Sequence, residues 1–232
     1  MNKEVFALIV AAGSGTRMKN VDRPKQFVEV NGKPLFVLTT EAFSMSDRVD
    51  KIVIATNEEY VNQVEQWCHL YKLSKVIKVV SGGKTRQESV YNGLLAIKEL
   101  SSSMDDIVLI HDAARVMVSQ EIINNNIDMC LKHDAVETAV KAIDTIAKSN
   151  NGEVINELLS RDEIYQVQTP QSFKLSLILK AHESAKENSN TDDASLVMML
   201  GEKVYIVDGN KQNFKVTTDE DLTILKALLE SN

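Results

Sequence analysis

Residues 5–18 read VFALIVAAGSGTRM, an apolar run that breaks directly into a glycine loop. Val5–Ala12 shows no polar alternation, which fits a strand buried on both faces, as in a parallel sheet covered by helices. The run is too short to span a bilayer. Gly13 and Gly15 would let the backbone approach an anion and turn successive N–H groups toward it. The loop is not a Walker A motif, because no Gly-Lys-Ser/Thr ends it. Nor is it a dinucleotide fingerprint, because Met18 stands where a third glycine belongs. Read alone the motif is weak, and a tight structural turn is its alternative reading.

Outward from this stretch the chain alternates. Leu35–Phe43 reads as a helix, Lys51–Ala55 as a strand, Glu58–Tyr71 as a helix and Lys75–Val80 as a strand. Gln87–Leu100 has helical spacing in Val90, Leu94, Ile97 and Leu100. Ile107–His111 is a further strand and Gln120–His133 a further helix. This pattern predicts a Rossmann-like α/β fold, with a mostly parallel sheet and helices on both faces. Ligands in such sheets bind beyond the carboxyl ends of the strands, so the informative loops are 12–25, 81–89 and 111–116.

After residue 135 the pattern changes. Val136–Ala147 and Val154–Leu159 flank a polar stretch ending in Asn151-Gly152, a hairpin-turn signal. A two-stranded arm at about 136–162 follows, and because an isolated hairpin cannot bury itself, it is expected to pack on a second copy of the chain. Residues 175–187 and 219–230 read as helices, Val204–Val207 and Asn213–Val216 as strands. The whole chain, 1–232, reads as one domain.

The formal net charge of −7 argues against a nucleic-acid partner. An anionic substrate must then be held by a local cluster of Lys and Arg. Cys68 and Cys130 lack metal-type spacing and read as buried thiols, and the four histidines do not cluster. With no leader-like or membrane-spanning segment, a cytoplasmic protein without a membrane partner is expected.

Arg17 lies inside the glycine loop, and Arg23-Pro24-Lys25-Gln26 follows it. Cations beside a glycine loop suit a triphosphate whose charge must be neutralised during attack. With these residues, the segment AAGSGTRM…PKQ resembles the nucleotidyltransferase signature of sugar-phosphate activating enzymes. Further blocks agree in order: GGKTRQESV at 82–90, HDAAR at 111–115, TPQ at 169–171, TDDAS at 191–195 and NFKVT at 213–217. Together they resemble the 2-C-methyl-D-erythritol 4-phosphate cytidylyltransferases and the related ribitol 5-phosphate cytidylyltransferases.

The resemblance implies the nucleotidyltransferase fold and an in-line attack by a polyol phosphate oxygen on the α-phosphorus of CTP. It implies that Arg17, Lys25 and Lys215 surround that phosphorus. CTP would be held by Ala11, Ala12, Gly13, Gly15, Gly82, Gly83, Ser89 and Asp112. The polyol phosphate would be held by Arg115, Thr145, Arg161, Thr169 and Thr191, with Thr145 and Arg161 reaching across a homodimer. Mg²⁺ would be carried mainly by the CTP phosphates, without dedicated protein ligands. Ser81 or Thr85 is also a natural helix cap, and Thr191-Asp192 fits a cap and a pocket wall equally. Where the family usually has Pro after the arginine at position 115, Arg115 is followed here by Val116.

The acceptor is read as 2-C-methyl-D-erythritol 4-phosphate, for isoprenoid precursor synthesis, on the HDAAR and TDDAS blocks. Ribitol 5-phosphate is the alternative, favoured by His133–Thr138 and by Tyr165–Phe173. An NAD(P) oxidoreductase is disfavoured because Thr56 and Asn57 follow the second strand in place of an acidic residue. A non-catalytic module would be expected to lose Arg17, Lys25 or Lys215. A sugar nucleotidyltransferase using UTP or GTP is the remaining competitor.

Overall fold

The computed structural model describes residues 3–13, 24–185 and 192–230. Its strands are β1 (Val5–Ala11), β2 (Glu29–Val30), β3 (Lys33–Pro34), β4 (Lys51–Thr56), β5 (Val76–Ser81) and β6 (Ile107–Asp112). They continue with β7 (Ala135–Lys141), β8 (Ala147–Lys148), β9 (Glu157–Leu158), β10 (Tyr165–Lys174) and β11 (Tyr205–Asp208). The helices are α1 (Leu35–Ser44), α2 (Val61–Leu70), α3 (Arg86–Leu100), α4 (Gln120–His133), α5 (Leu175–Ser184), α6 (Asp193–Met199) and α7 (Asp219–Glu230).

Seven strands form one sheet in the order β11-β7-β10-β6-β1-β4-β5. β1 pairs in parallel with both β4 and β6, and β5 adds in parallel to β4. β10 runs antiparallel between β6 and β7. The chain leaves β1 toward β4 and later returns through α3 to β6 on the other side, so a crevice opens at the carboxyl end of β1.

Strand alternation divides the core. Ala7, Ile9, Ile52, Ile54 and Leu109 face one layer with Phe36, Phe43, Val64 and Ile123. Phe6, Leu8, Val53, Ala55 and Ile110 face the other with Leu94, Ile97, Phe173 and Ile178. Successive strand side chains point to opposite faces, so an uninterrupted apolar strand is what a two-sided core requires. Each such side chain contributes about 1.5–3 kcal/mol on burial. α3 lies close on β1 because Gly93 has no side chain; a Cβ there would collide with Leu8. α7 covers a smaller cluster of Val30, Leu35, Val116, Val216 and Leu225.

Three expectations need correction. Val136–Ala147 is not an arm strand: Ala135–Lys141 belongs to the main sheet, paired with β10 and β11. The arm begins later. Its base closes where Ala142 N–H donates to the Ile164 carbonyl at 2.9 Å, and it carries the small β8–β9 hairpin. Asn151-Gly152 sits in a wider loop, and only Gly152 of the two has positive φ. The tight two-residue turn is Asn31-Gly32 between β2 and β3, with φ of 52° and 76°. Asn213–Val216 is an extended loop rather than a strand, held by Val216 N–H on the Ala114 carbonyl at 2.8 Å. Conversely, the long β10 carries no strand signal in the sequence pattern. Among the described residues no helix is long and apolar enough to cross a membrane.

Candidate active site

A cleft of about 490 Å³ opens at the carboxyl ends of β1, β4, β5 and β6. Ala11, Ala12 and Gly13 form its floor after β1, and Asn57 follows β4. Gly83–Arg86 and Ser89 follow β5, and Asp112–Ala114 end β6. Lys25, Gln26, Lys215 and Thr217 close it from the loops. The cleft therefore gathers Lys25, Lys84, Arg86 and Lys215 against one carboxylate, Asp112, in a chain of net charge −7. A local cationic cleft in an acidic protein is suited to an anionic ligand.

The glycine loop is anchored from below. Gln26, 2% exposed, donates through Nε2 to the carbonyls of Ala11 at 2.6 Å and Gly13 at 3.0 Å. This ties the Lys25–Phe27 turn to the end of β1 and brings Lys25 to the cleft. There its Nζ donates to the Val216 carbonyl at 3.1 Å, next to Lys215. Lys25 and Lys215 thus share one wall although they lie far apart in sequence. Arg17, Gly15 and Thr191 lie outside the described residues.

The second loop is built around a capping box. Thr85 accepts from Glu88 N–H at 3.1 Å, and Glu88 accepts from Thr85 N–H at 3.3 Å. Of the two candidate caps, Thr85 is the one used. Ser89, 1% exposed, accepts from Gly83 N–H at 3.0 Å and donates to the Thr85 carbonyl at 2.8 Å. Its hydroxyl is committed to shaping the loop. Gly82 is required by closeness: a Cβ there would lie 2.7 Å from Ala12 Cβ and 2.8 Å from Ser89 Oγ.

Asp112 is the electrostatic centre. Lys215 Nζ lies 2.8 Å from Oδ2, Arg86 Nε 3.4 Å from Oδ1 and Arg115 Nε 3.8 Å from Oδ2. Burial pushes this carboxyl up, but Lys215, Arg86 and Arg115 outweigh it and hold Asp112 below the usual carboxylate range. Behind it, the Thr169 hydroxyl accepts from Asp112 N–H at 3.1 Å and lies 3.0 Å from His111 Nδ1. His111 Nε2 lies 3.0 Å from the Arg115 carbonyl. A carbonyl only accepts, so Nε2 carries the hydrogen and Nδ1 receives the Thr169 proton. Burial lowers His111 to about 4, which keeps the ring neutral.

Thr169 is 5% exposed and sits behind Asp112 rather than on the cleft wall. Arg115 likewise points away from the lining, donating through a terminal nitrogen to the Asn213 carbonyl at 2.8 Å. Asn213 in turn donates to the Thr169 carbonyl at 2.8 Å, so β10 and the turn after β6 jointly place Lys215. Val116 is buried in the small cluster beneath α7, an apolar role that does not require proline. Thr145 and Arg161 are exposed on the arm, where Arg161 donates to the Ile143 carbonyl at 3.1 Å.

Arg86 received no role from the sequence, yet it touches two carboxylates. Besides Asp112 it reaches Asp193 Oδ2 at 2.6 Å. Asp193 Oδ1 faces His182 Nε2 at 3.0 Å, both side chains being 1% exposed. Burial would raise Asp193, but Arg86 and His182 lower it, so it is ionised. Burial would lower Arg86, but Asp193 and Asp112 outweigh it and raise it on balance. Nearby, Glu137 accepts from Gln171 at 2.6 Å and is raised to about 7 by burial and by the Asp192 charge. Asp192 caps α6, accepting from Ser195 N–H at 2.8 Å. The one signal available beforehand was the position of Arg86 at the start of a helix following a glycine loop.

The sequence profile described as "IspD: 2-C-methyl-D-erythritol 4-phosphate cytidylyltransferase" matches residues 5–231. The enzyme of that name from Geobacillus kaustophilus is 41% identical over 233 residues, covering 100% of this chain and 98% of its own. A ribitol-5-phosphate cytidylyltransferase from Lactiplantibacillus plantarum is 37% identical, covering 97% and 98%. The crystal structure of 4-diphosphocytidyl-2C-methyl-D-erythritol synthase from Anaerococcus prevotii superposes with a TM-score of 0.84 at 31% identity, covering 98% of this chain and 99% of that one. A glycine-loop cleft of the nucleotidyltransferase kind and a full-length match lead to one conclusion: the chain belongs to the IspD family of cytidylyltransferases.

Proposed function

We propose that this enzyme transfers CMP from CTP to 2-C-methyl-D-erythritol 4-phosphate. The observation that carries the reading is the pairing of Lys25 and Lys215 on one wall of the β1 cleft, in a chain matched end to end by that family. A phosphate oxygen of the acceptor attacks the α-phosphorus of CTP. The bond from that phosphorus to the bridging oxygen breaks, and pyrophosphate leaves. The protein's work is then to position two anions and stabilise charge at the crowded phosphorus. Arg17, Lys25 and Lys215 are assigned that task, and losing one would cost on the order of 2–4 kcal/mol of barrier. Gly13, Gly82 and Gly83 admit the nucleotide closely, and Asp112 holds Lys215 in place.

Mg²⁺ fits this arrangement as a passenger on the triphosphate. Among the described residues no group of three or more His, Cys, Asp or Glu forms a cage, and Asp112 is engaged by cations. When bound, the ion would neutralise phosphate charge. The acceptor side is assigned to Thr191 with Thr145 and Arg161 of the arm, while Arg115 and Thr169, set behind Asp112, support it through Asn213. Homodimerisation through the arm is part of the proposal. Ile143, Val154, Ile155 and Leu158 are 53–64% exposed there, next to Thr145 and Arg161. A cytoplasmic setting, where nucleoside triphosphates are made, completes it.

Ribitol 5-phosphate is the second reading, favoured by the 37% identical relative. Purified protein with CTP and Mg²⁺ is offered each polyol phosphate separately while pyrophosphate release is followed. Turnover with the methylerythritol phosphate is expected. Turnover with ribitol 5-phosphate alone would overturn the acceptor assignment.

A further inference from the structure

Arg86 begins α3, Asp193 begins α6 and Asp112 ends β6, so one guanidinium joins three segments around the cleft. Its contact with Asp193 is the shorter of its two, at 2.6 Å against 3.4 Å to Asp112. Asp193 is 1% exposed and spends both oxygens, one on Arg86 and one on His182. A carboxylate only accepts, so His182 Nε2 presents a hydrogen to it. That bond stops the carboxylate from rotating about its last torsion, and the free oxygen is then aimed at Arg86. His182 is itself fixed by Tyr91 of α3, whose ring stacks on it with centroids 5.8 Å apart and planes 8° apart. A third restraint comes from Asp193 N–H, which donates to Gln171 Oε1 at 3.3 Å.

The cleft end of this chain matters for chemistry. Arg86 lines the cleft, and Asp112 is shared between Arg86 and Lys215. With Asp193 ionised beside it, Arg86 is largely neutralised, and Asp112 stays divided among its cations. Without that partner, Arg86 would move fully onto Asp112 and displace Lys215. We propose that Asp193 and His182 are positioning residues for the transfer, acting through Arg86 on Asp112 and Lys215. The proposal rests on the cytidylyltransferase reading. Misplacement of about 1 Å at a reacting centre costs on the order of 10²-fold in rate.

A purely packing role and a positioning role differ in what a conservative variant does. His182→Gln keeps an amide N–H near the position of Nε2, whereas His182→Leu keeps bulk and removes the donor. In the full-length protein, His182→Leu is expected to lose about 10- to 100-fold in kcat. CTP affinity by calorimetry should stay within about threefold, and His182→Gln should recover most of the turnover. Asp193→Asn should behave like His182→Leu. Turnover of His182→Leu within about twofold of the parent, or an equal loss in His182→Gln, would overturn the proposal. If the parent protein transfers CMP to neither polyol phosphate, the functional reading has failed, and the side-chain Nε–H resonance of Arg86 decides this one. A shift or broadening in His182→Leu but not in His182→Gln supports positioning; an unmoved resonance refutes it.

Discussion

Replacing Asp112 with Asn removes one negative charge from between three cations. Lys215 lies 2.8 Å, Arg86 3.4 Å and Arg115 3.8 Å from its oxygens, and the Asp112 side chain is 10% exposed. Breaking a buried pair by removing one partner costs about 3–5 kcal/mol, because the remaining charge is left uncompensated. Here Arg86 keeps Asp193, and the Lys215 side chain is 34% exposed and can turn toward water. The low end, about 3 kcal/mol, is therefore expected. For a chain of this length each kcal/mol lowers Tm by about 2–4 °C, so Asp112→Asn should melt about 6–12 °C below the parent. The same three cations form an anion site once the carboxylate is gone. Pyrophosphate or CTP should stabilise the variant more, in degrees, than it stabilises the parent. Added salt should narrow the gap by screening the repulsion. Calorimetry of both proteins with and without pyrophosphate checks all three statements. A variant melting within about 2 °C of the parent would refute the view of Asp112 as the counter-charge of the cleft.

Other perturbations test separate parts of the account. Gly93→Ala should destabilise by about 1–3 kcal/mol despite better helix propensity, since Leu8 is fully buried and cannot move aside; urea denaturation measures it. Glu137, raised to about 7, contributes stability that is full below its ordinary carboxylate range and lost as pH rises through 7. Glu137→Gln should therefore match the parent near pH 5 and exceed it in Tm by pH 8; parallel curves would refute this. Arg161→Ala should bind CTP like the parent and yet barely turn over, which calorimetry and a pyrophosphate assay separate; unchanged turnover would exclude the arm from the site.

The parts of the fold readable in advance are those that physics writes locally. β1 and the centres of β4 and β6 are apolar because both faces are covered, and a glycine loop with a trailing lysine marks the crevice. β10 was hidden for the opposite reason. Gln171 and Ser172 are buried at 1% and 0%, satisfied by Glu137 and Asn126, which lie far away in sequence. No periodicity reveals a buried polar residue whose partner comes from another element. The same holds for His182, Asp193 and Arg86, contributed by three helix segments. The three Asn-Gly steps show a further limit. All carry the turn signal, but Asn92-Gly93 lies inside α3, Asn151-Gly152 lies in a wider loop, and only Asn31-Gly32 connects strands across two residues, which depends on what flanks it.

The central claim is that the β1 cleft holds CTP with its α-phosphorus between Lys25 and Lys215. A crystal structure with a non-hydrolysable CTP analogue and Mg²⁺ tests it most directly. The account predicts both ammonium groups within salt-bridge distance of the α-phosphate oxygens, with Lys215 still held by Asp112. A triphosphate seated elsewhere, or either lysine turned away from it, would contradict the account.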